Sequence, residues 1–566
     1  MPPGGARPRR ARQAARLHPV PAARRMARMA THDVLNQSTP FADVNLIAAD
    51  APLRGALRAN GVDPDEPGLA AFGAEWGAAE RLEGGRLANE NPPRLRTHDA
   101  SGRRADRVEF HPAYHALMRA SVGAGLHASL WDGAAPALPF GRGHVARAAR
   151  LYAVAGVESG HLCPMTMTSA AVAALAAAPD HLAAWWPRLT SRRYDPEFRP
   201  WFEKAGVTLG MGMTEKQGGT DVRANTTAAR PAGDDVYHLT GHKWFFSAPM
   251  CDAFLVLAQA PDGLSCFLVP RHRPDRSVNA LRLQRLKDKL GNRSNASAEV
   301  EFEEAFGWRL GEEGRGLRTI LAMVQLTRLD CAVASAGLGR MALALALHHA
   351  RHRSAFGRPL ADQPAMRAVL ADLALAVEAQ VALVMRLSAS FDRGEAVRAR
   401  LLTPAAKYAV CKAAPGLVAE AMECLGGNGY VEENPLPRLY REAPVNAIWE
   451  GSGNVMALDV LRAASRAPEE ARAVLAALAA EARDLPGAAR AARDVAEGLA
   501  APDAPARARF VTGRLAALAA AAALATSAPP ALAEAYARTR LAGEHALFGS
   551  ADLGREADLL LARALP

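Results

Sequence analysis

The sequence predicts a mainly helical α+β protein with a β-domain set between helical ones. Half of the 566 residues are hydrophobic, only 6% are aromatic, and Ala is used heavily, a composition that favours packed helices. From Gly206 to about residue 310 the texture changes to short apolar or alternating runs bounded by turns. From Gly316 a long helical pattern returns. A chain of this length exceeds one hydrophobic core, so three or four domains are expected.

Residues 1–28 contain eight Arg and no acid. They account for most of the net charge of +10. Rich in Pro, Ala and Gly and without an amphipathic period, the segment predicts a disordered basic tail over residues 1–29. It lacks the apolar stretch of a secretory signal. An organelle transit peptide and translated upstream sequence with a start at Met29 both remain open.

Residues 30–205 read as an N-terminal helical domain. Its pattern runs from about Leu46 to Ala205, broken near Asn91-Pro92-Pro93 and from Gly133 to Arg142. Leu151 to Leu175 is apolar with small residues, so it predicts a deeply packed helix. Residues 206–315 are the β-domain. Within it, Val236–Leu239, Phe254–Leu257, Ser265–Val269 and Ala298–Phe302 read as strands. Residues 316–464 form a helical bundle punctuated by Gly337, Gly339 and Gly426-Gly427-Asn428-Gly429. Residues 465–566 form a last, Ala- and Arg-rich helical domain. The longest purely apolar run, Leu515 to Ala525, falls short of the roughly 20 residues of a membrane span and predicts a buried helix.

Six scattered cysteines without a C-x-x-C pair read as reduced thiols of a cytoplasmic protein. His348 and His352 stand one turn apart beside Arg351 and Arg353, a solvated basic face more than a metal site. No metal centre is expected. A Rossmann G-x-G-x-x-G, a Walker A loop and a hydrolase G-x-S-x-G are all missing.

Three stretches carry candidate chemistry. In Ile448-Trp449-Glu450-Gly451-Ser452-Gly453-Asn454 a carboxylate follows an apolar pair and precedes a small-residue turn. Burial there raises the pKa of Glu450 and suits it to accept a proton near neutral pH. Met211 to Asp221 places hydroxyls and a glycine pair after a strand, where backbone N–H groups can meet carbonyls or phosphates. Lys243-Trp244-Phe245-Phe246-Ser247 sets aromatic faces next to a hydroxyl, suited to a flat heterocycle.

In order and spacing these motifs resemble the acyl-CoA dehydrogenase family. Met213–Asp221 is similar to its M-T-E-P-x-A-G-S-D flavin loop, and Gly241–Ser247 to its G-x-K-x-W-I-T strand. Leu290–Ser294, Val300–Glu304, Arg353–Gly357 (R-x-x-F-G), Leu425–Tyr430 (L-G-G-N-G-Y) and Ile448–Ser452 follow its later motifs. Asn91-Pro92-Pro93, Phe110-His111-Pro112, Trp244–Ser247 and Trp449–Asn454 look like its alkylation-response flavoprotein branch.

The resemblance implies that family's fold: an N-terminal helical domain, a middle β-barrel and a four-helix bundle, with an extra C-terminal helical domain in this branch. It implies FAD as cofactor and a homotetramer in which FAD is shared between subunits. Met211, Thr214, Gly219, Thr220, Phe245, Phe246, Ser247, Trp449, Ser452, Gly453 and Asn454 are then the flavin pocket. Arg353 with Gly426 and Gly427 binds the diphosphate and adenosine. Pro364 stands where the family usually has Gln. Glu450 matches the catalytic base and Arg328 an arginine on the CoA side of the substrate. The family takes the α-proton of an acyl-CoA on that base while the β-hydride passes to the flavin.

The branch is associated with double-stranded DNA through its C-terminal domain, with uncertain dehydrogenase activity. Arg462 and Arg540 match its DNA-facing arginines. Residues 461–566 hold 13 Arg and 12 acids, so DNA binding needs arginines gathered on one face. A conventional dehydrogenase of a short branched acyl-CoA is the alternative.

Overall fold

The structure is a computed structural model that describes residues 33–133, 141–543 and 547–564. The basic tail expected over residues 1–29 lies outside them. Residues up to 37 form a separate unit from 38–566, and everything below concerns the latter.

The N-terminal helices start where the sequence supplies caps. Asp50 accepts the Leu53 N–H (3.0 Å) at the start of α1 (Ala51–Ala59). Glu66 accepts from Gly68 and Leu69 at the start of α2 (Pro67–Gly77), with Pro67 at the first helical position. After α3 (Ala79–Glu90) the structure departs from the helical expectation. Residues 94–109 form an antiparallel hairpin, β1 (Arg94–His98) and β2 (Arg104–Glu109). Leu95 faces Val108, and Arg96 pairs with Glu109 at 2.7 Å. Its period-two signal is short and mostly charged, so the apolar pattern alone does not reveal it.

Next come α4 (Pro112–Gly123), α5 (His144–Val157), α6 (Leu162–Leu175) and α7 (Pro179–Leu189). Helix α6 is interior, as its apolar, small-residue sequence predicts. Cys163, Thr166 and Ala173 are its partly accessible positions, all on one face.

The middle region is a closed sheet of β3 (Leu209–Gly212), β4 (Ala228–Pro231), β5 (Val236–Ser247), β6 (Ala253–Ala260), β7 (Gly263–Pro270), β8 (Leu281–Leu286) and β9 (Ser297–Leu310). The order β3-β6-β4-β5-β9-β7, with β6 also paired to β7, makes a barrel. Phe246, Phe254, Phe267 and Phe302 fill it.

Helix α8 (Gly316–His352) then spans the molecule. The short strands β10 (Ser354–Ala355) and β11 (Arg358–Pro359) lead to α9 (Pro364–Asp392), α10 (Ala396–Cys424) and α11 (Pro435–Glu442). Helix α12 (Gly453–Arg466) completes a bundle with α8, α9 and α10. The last region contains α13 (Pro468–Glu481), α14 (Ala488–Ala500), α15 (Ala504–Ser527), α16 (Pro530–Tyr536) and α17 (Ala557–Ala564), with α15 packed on α9, α10 and α12.

Run length understates how apolar the helices are. Helices α8, α9 and α15 are long and apolar enough to cross a membrane, yet 94%, 78% and 61% of their most apolar stretches are covered by protein.

Candidate active site

Glu450 sits in the short link between α11 and α12, and its backbone is left-handed (φ 57°). Such a conformation costs a non-glycine residue about 1–3 kcal/mol and persists only where the surroundings impose it. Here they do. The Thr327 hydroxyl donates to the carboxylate (2.7 Å), and Arg328 Nε donates to the Glu450 carbonyl (2.9 Å). Lys407 Nζ holds the carbonyls of Asn446 (2.8 Å) and Gly451 (2.9 Å). Gly451 takes φ 106°, and a Cβ there would stand 2.6 Å from Met456 Cε, so the turn requires glycine. Trp449 Nε1 donates to Asn446 (2.8 Å), which fixes the indole over the link.

Desolvation raises the pKa of Glu450, opposed by the Thr327 hydrogen bond and by Arg328 and Lys407. This is the direction a proton-accepting carboxylate needs. Beside it, Cys163 of α6 is in contact range of Ser247, Asn295, Lys289 and Glu450, and burial pushes its thiol up to about 12. That thiol is a neutral wall rather than a nucleophile. Ser247 and Glu450, distant in sequence, therefore meet across Cys163.

The loop expected to hold a flavin is anchored by a residue whose role the sequence reading missed. Glu215 accepts from Lys243 Nζ (2.7 Å), Thr227 Oγ1 (2.6 Å), the Thr226 N–H (2.7 Å) and Gln217 Nε2 (2.8 Å). These bonds hold its carboxyl well below the usual range. Lys243, buried beside it, is lowered to about 8 by desolvation. The pair bolts the loop to β5, and the Trp244 N–H adds a bond to the Thr214 carbonyl (2.9 Å). The only sequence signal is the acid of the M-T-E motif and the Lys of β5, 28 residues on.

The residues present fit FAD. Gly219 lies so close to Thr214 that a Cβ would stand 2.4 Å from its hydroxyl, so the loop closes into a cradle with Gly219 and Thr220 exposed. Phe245 is 51% exposed on the adjoining strand. Met211 is partly accessible on β3. Phe246 instead points into the barrel against Phe254 and Phe302, fully buried. It cannot face a ring, because the alternation of a strand turns it away from its neighbour Phe245.

Ser452 caps α12 and Gly453 begins it. Gly453 lies near Tyr408, Lys412 and Arg509, and Asn454 accepts from Arg509 Nε (2.7 Å). These two therefore face α10 and α15. Arg353 ends α8, and Gly426 and Gly427 follow α10, both with open space over their Cα atoms. They lie on elements other than the flavin loop.

Arg328 differs from expectation. Its side chain is buried, bonded through Nη1 to Asp459 (2.9 Å) and through Nε to the Glu450 carbonyl. It braces the catalytic link from beneath. Asp459 also takes both Arg400 nitrogens (2.9 and 2.7 Å) and Arg462 (3.3 Å). Arg462 keeps 58% of its side chain exposed. Arg540 is 13% exposed and paired with the fully buried Asp372, a structural tie rather than an outward-facing charge.

Comparison with known proteins decides the family. Residues 36–196 match the model of the adaptive response protein AidB N-terminal domain. Residues 210–305 match the acyl-CoA dehydrogenase middle domain and 314–465 its C-terminal domain. The chain is 54% identical over 437 residues to acyl-CoA dehydrogenase AidB of Escherichia coli (strain K12), covering 76% of this chain and 80% of that one. The chain belongs to the acyl-CoA dehydrogenase family, in its AidB branch. Acyl-CoA dehydrogenase family member 11 of Caenorhabditis elegans is 34% identical over 67% of this chain and 63% of that one. The crystal structure of C. elegans ACDH-11 in complex with C11-CoA superposes with a TM-score of 0.80 at 26% identity. It covers 95% of this chain and 98% of that one, reaching past residue 465 where the family models stop. Acyl-CoA dehydrogenases are FAD-dependent.

Proposed function

We propose that this chain is an FAD-dependent oxidoreductase of the acyl-CoA dehydrogenase type, a cytoplasmic homotetramer, with Glu450 as its base. The observation that carries the reading is the Glu450 carboxylate. It is held in a strained backbone conformation by Thr327 and Arg328, desolvated, and brought beside Ser247 at the end of the aromatic strand. Bound FAD supplies a two-electron acceptor for the hydride leaving the β-carbon. Glu450 accepts the α-proton, Thr327 orients its carboxylate, and the Glu215–Lys243 pair keeps the cofactor loop in place. Phe245 offers a ring face and Ser247 a hydroxyl at the strand end. The deciding experiment is to add acyl-CoA thioesters to the purified protein and follow loss of flavin absorbance. A protein that carries no flavin, or whose flavin no thioester bleaches, does not have this function.

Arg353→Ala tests the shared cofactor site. Loss of a charge-assisted contact to phosphate costs about 1.5–3 kcal/mol, so flavin retention and tetramer content should fall together in gel filtration with absorbance detection. A tetramer with its full flavin load rules the arrangement out.

Association with double-stranded DNA in the alkylation response is a second reading, supported by the likeness to AidB and by the outward exposure of Arg462. For a protein beginning at Met29, duplex affinity should be nearly independent of sequence and fall steeply with salt. Arg462→Ala should reduce the salt slope by about one unit. Arg540→Ala should instead lower thermal stability with the slope unchanged, because it strips the partner from Asp372. Absence of duplex binding at low salt removes the reading.

A further inference from the structure

The space in front of Glu450 is bounded by α6 and α8. On α6, Cys163 and Thr166 lie one turn apart on the partly accessible face of an otherwise interior helix. On α8, Thr327 holds the Glu450 carboxylate, and Asp330 follows three residues on. One helical turn, about 5.4 Å, past the carboxylate, the two helices are joined across the cleft. Thr166 Oγ1 donates to Asp330 Oδ2 (2.8 Å), and Arg147 of α5 grips Asp330 with both terminal nitrogens (2.7 and 2.8 Å). Arg147 Nε is itself fixed on the Leu126 carbonyl (2.8 Å). Arg147 and Asp330 are both buried. On the other side of Cys163, Asn295 is 1% exposed, yet neither its carboxamide oxygen nor its nitrogen finds a hydrogen-bond partner among the described residues.

A buried, unpartnered carboxamide is costly unless a ligand satisfies it. A cleft ending on a hydroxyl and a carboxylate has no apolar floor to receive a hydrocarbon tail. We infer that the cleft selects substrates whose group beyond the reacting carbons is short and hydrogen-bonding, with Asn295, Thr166 and the Asp330–Arg147 pair as its specificity determinants. The inference rests on the proposed acyl-CoA chemistry at Glu450 and narrows it to a short acyl group with a polar end. Long saturated acyl chains are excluded.

The test uses the flavin-loaded protein with butanoyl-CoA, 4-hydroxybutanoyl-CoA and octanoyl-CoA, measuring binding by calorimetry beside flavin bleaching. The hydroxylated thioester should bind roughly tenfold more tightly than butanoyl-CoA, the effect of one or two added hydrogen bonds, and octanoyl-CoA should not bind. Arg147→Met with Asp330→Leu, made together so that no buried charge is stranded, should reverse the preference between the two short thioesters. Asn295→Leu and the milder Thr166→Val should each narrow it, which keeps the test informative if the double variant fails to fold. Octanoyl-CoA that binds and bleaches as well as the hydroxylated thioester overturns the inference and leaves the proposed function standing. Failure of every thioester both to bind and to bleach removes the two together.

Discussion

Glu450→Gln should cut acyl-CoA-dependent flavin reduction by at least roughly 100-fold, while flavin content and the far-ultraviolet spectrum stay as in the parent protein. The amide preserves the side chain's shape and can still meet the Thr327 hydroxyl, so the link keeps its geometry. What disappears is the proton acceptor. The parent protein carries a further signature. Because desolvation lifts the Glu450 pKa, the bleaching rate should rise with pH through a value above that of an ordinary glutamate and level off beyond it. A base at its usual pKa would give a flat profile from about pH 6 upward. Stopped-flow bleaching across pH measures both. A variant that keeps its rate would place the base on another residue.

Arg328→Ala should be the most damaging change away from the carboxylate itself. The guanidinium is buried between Asp459 and the Glu450 carbonyl. Removing one partner of a buried pair costs about 3–5 kcal/mol. The same change frees the Glu450 backbone from the clamp that maintains its left-handed turn. Both the thermal midpoint and the bleaching rate should therefore fall. Arg328→Lys should recover part of the stability by charge and little of the rate, since an ammonium cannot reach carboxylate and carbonyl in the fixed fork of a guanidinium. The alternative role, a contact to the CoA moiety, predicts a raised KM with unchanged melting. Calorimetric melting with steady-state kinetics on the same preparation separates the two.

Much of this arrangement was legible in the sequence. The alternation of Ala298–Phe302, the runs at Phe254–Leu257 and Ser265–Val269, and the return of helix at Gly316 each appear where the pattern put them. The Glu450 link was legible because an acid among glycines after an apolar pair is unusual in a helical bundle. The rest depends on contacts between residues far apart in the chain. Asp459 turns Arg328 inward from a neighbouring helix 131 positions on, and no local pattern announces that pairing. Phe245 and Phe246 read alike as a string, and only the strand's placement decides which is core. The hairpin at residues 94–109 was missed because its inward positions are few and its outward ones are mostly charged.

The last helices are fastened to the bundle by a row of charge pairs. Arg398 reaches Glu481 (2.6 Å), Arg563 reaches Glu378 (2.5 Å), Arg540 reaches Asp372, and Arg509 reaches Asn454 at the head of α12. The acids on α9 were sequestered from water by the segment that neutralises them. A protein cut after residue 464 would thus carry two stranded carboxylates, Asp372 and Glu378, on a newly uncovered apolar flank, and it should aggregate rather than report on a simpler enzyme. The excised tail would fare no better, since the faces of α15 that meet α9, α10 and α12 would lie open. Dissecting this protein by truncation is therefore a poor route to its functions, and point substitutions within the intact chain are the cleaner instrument.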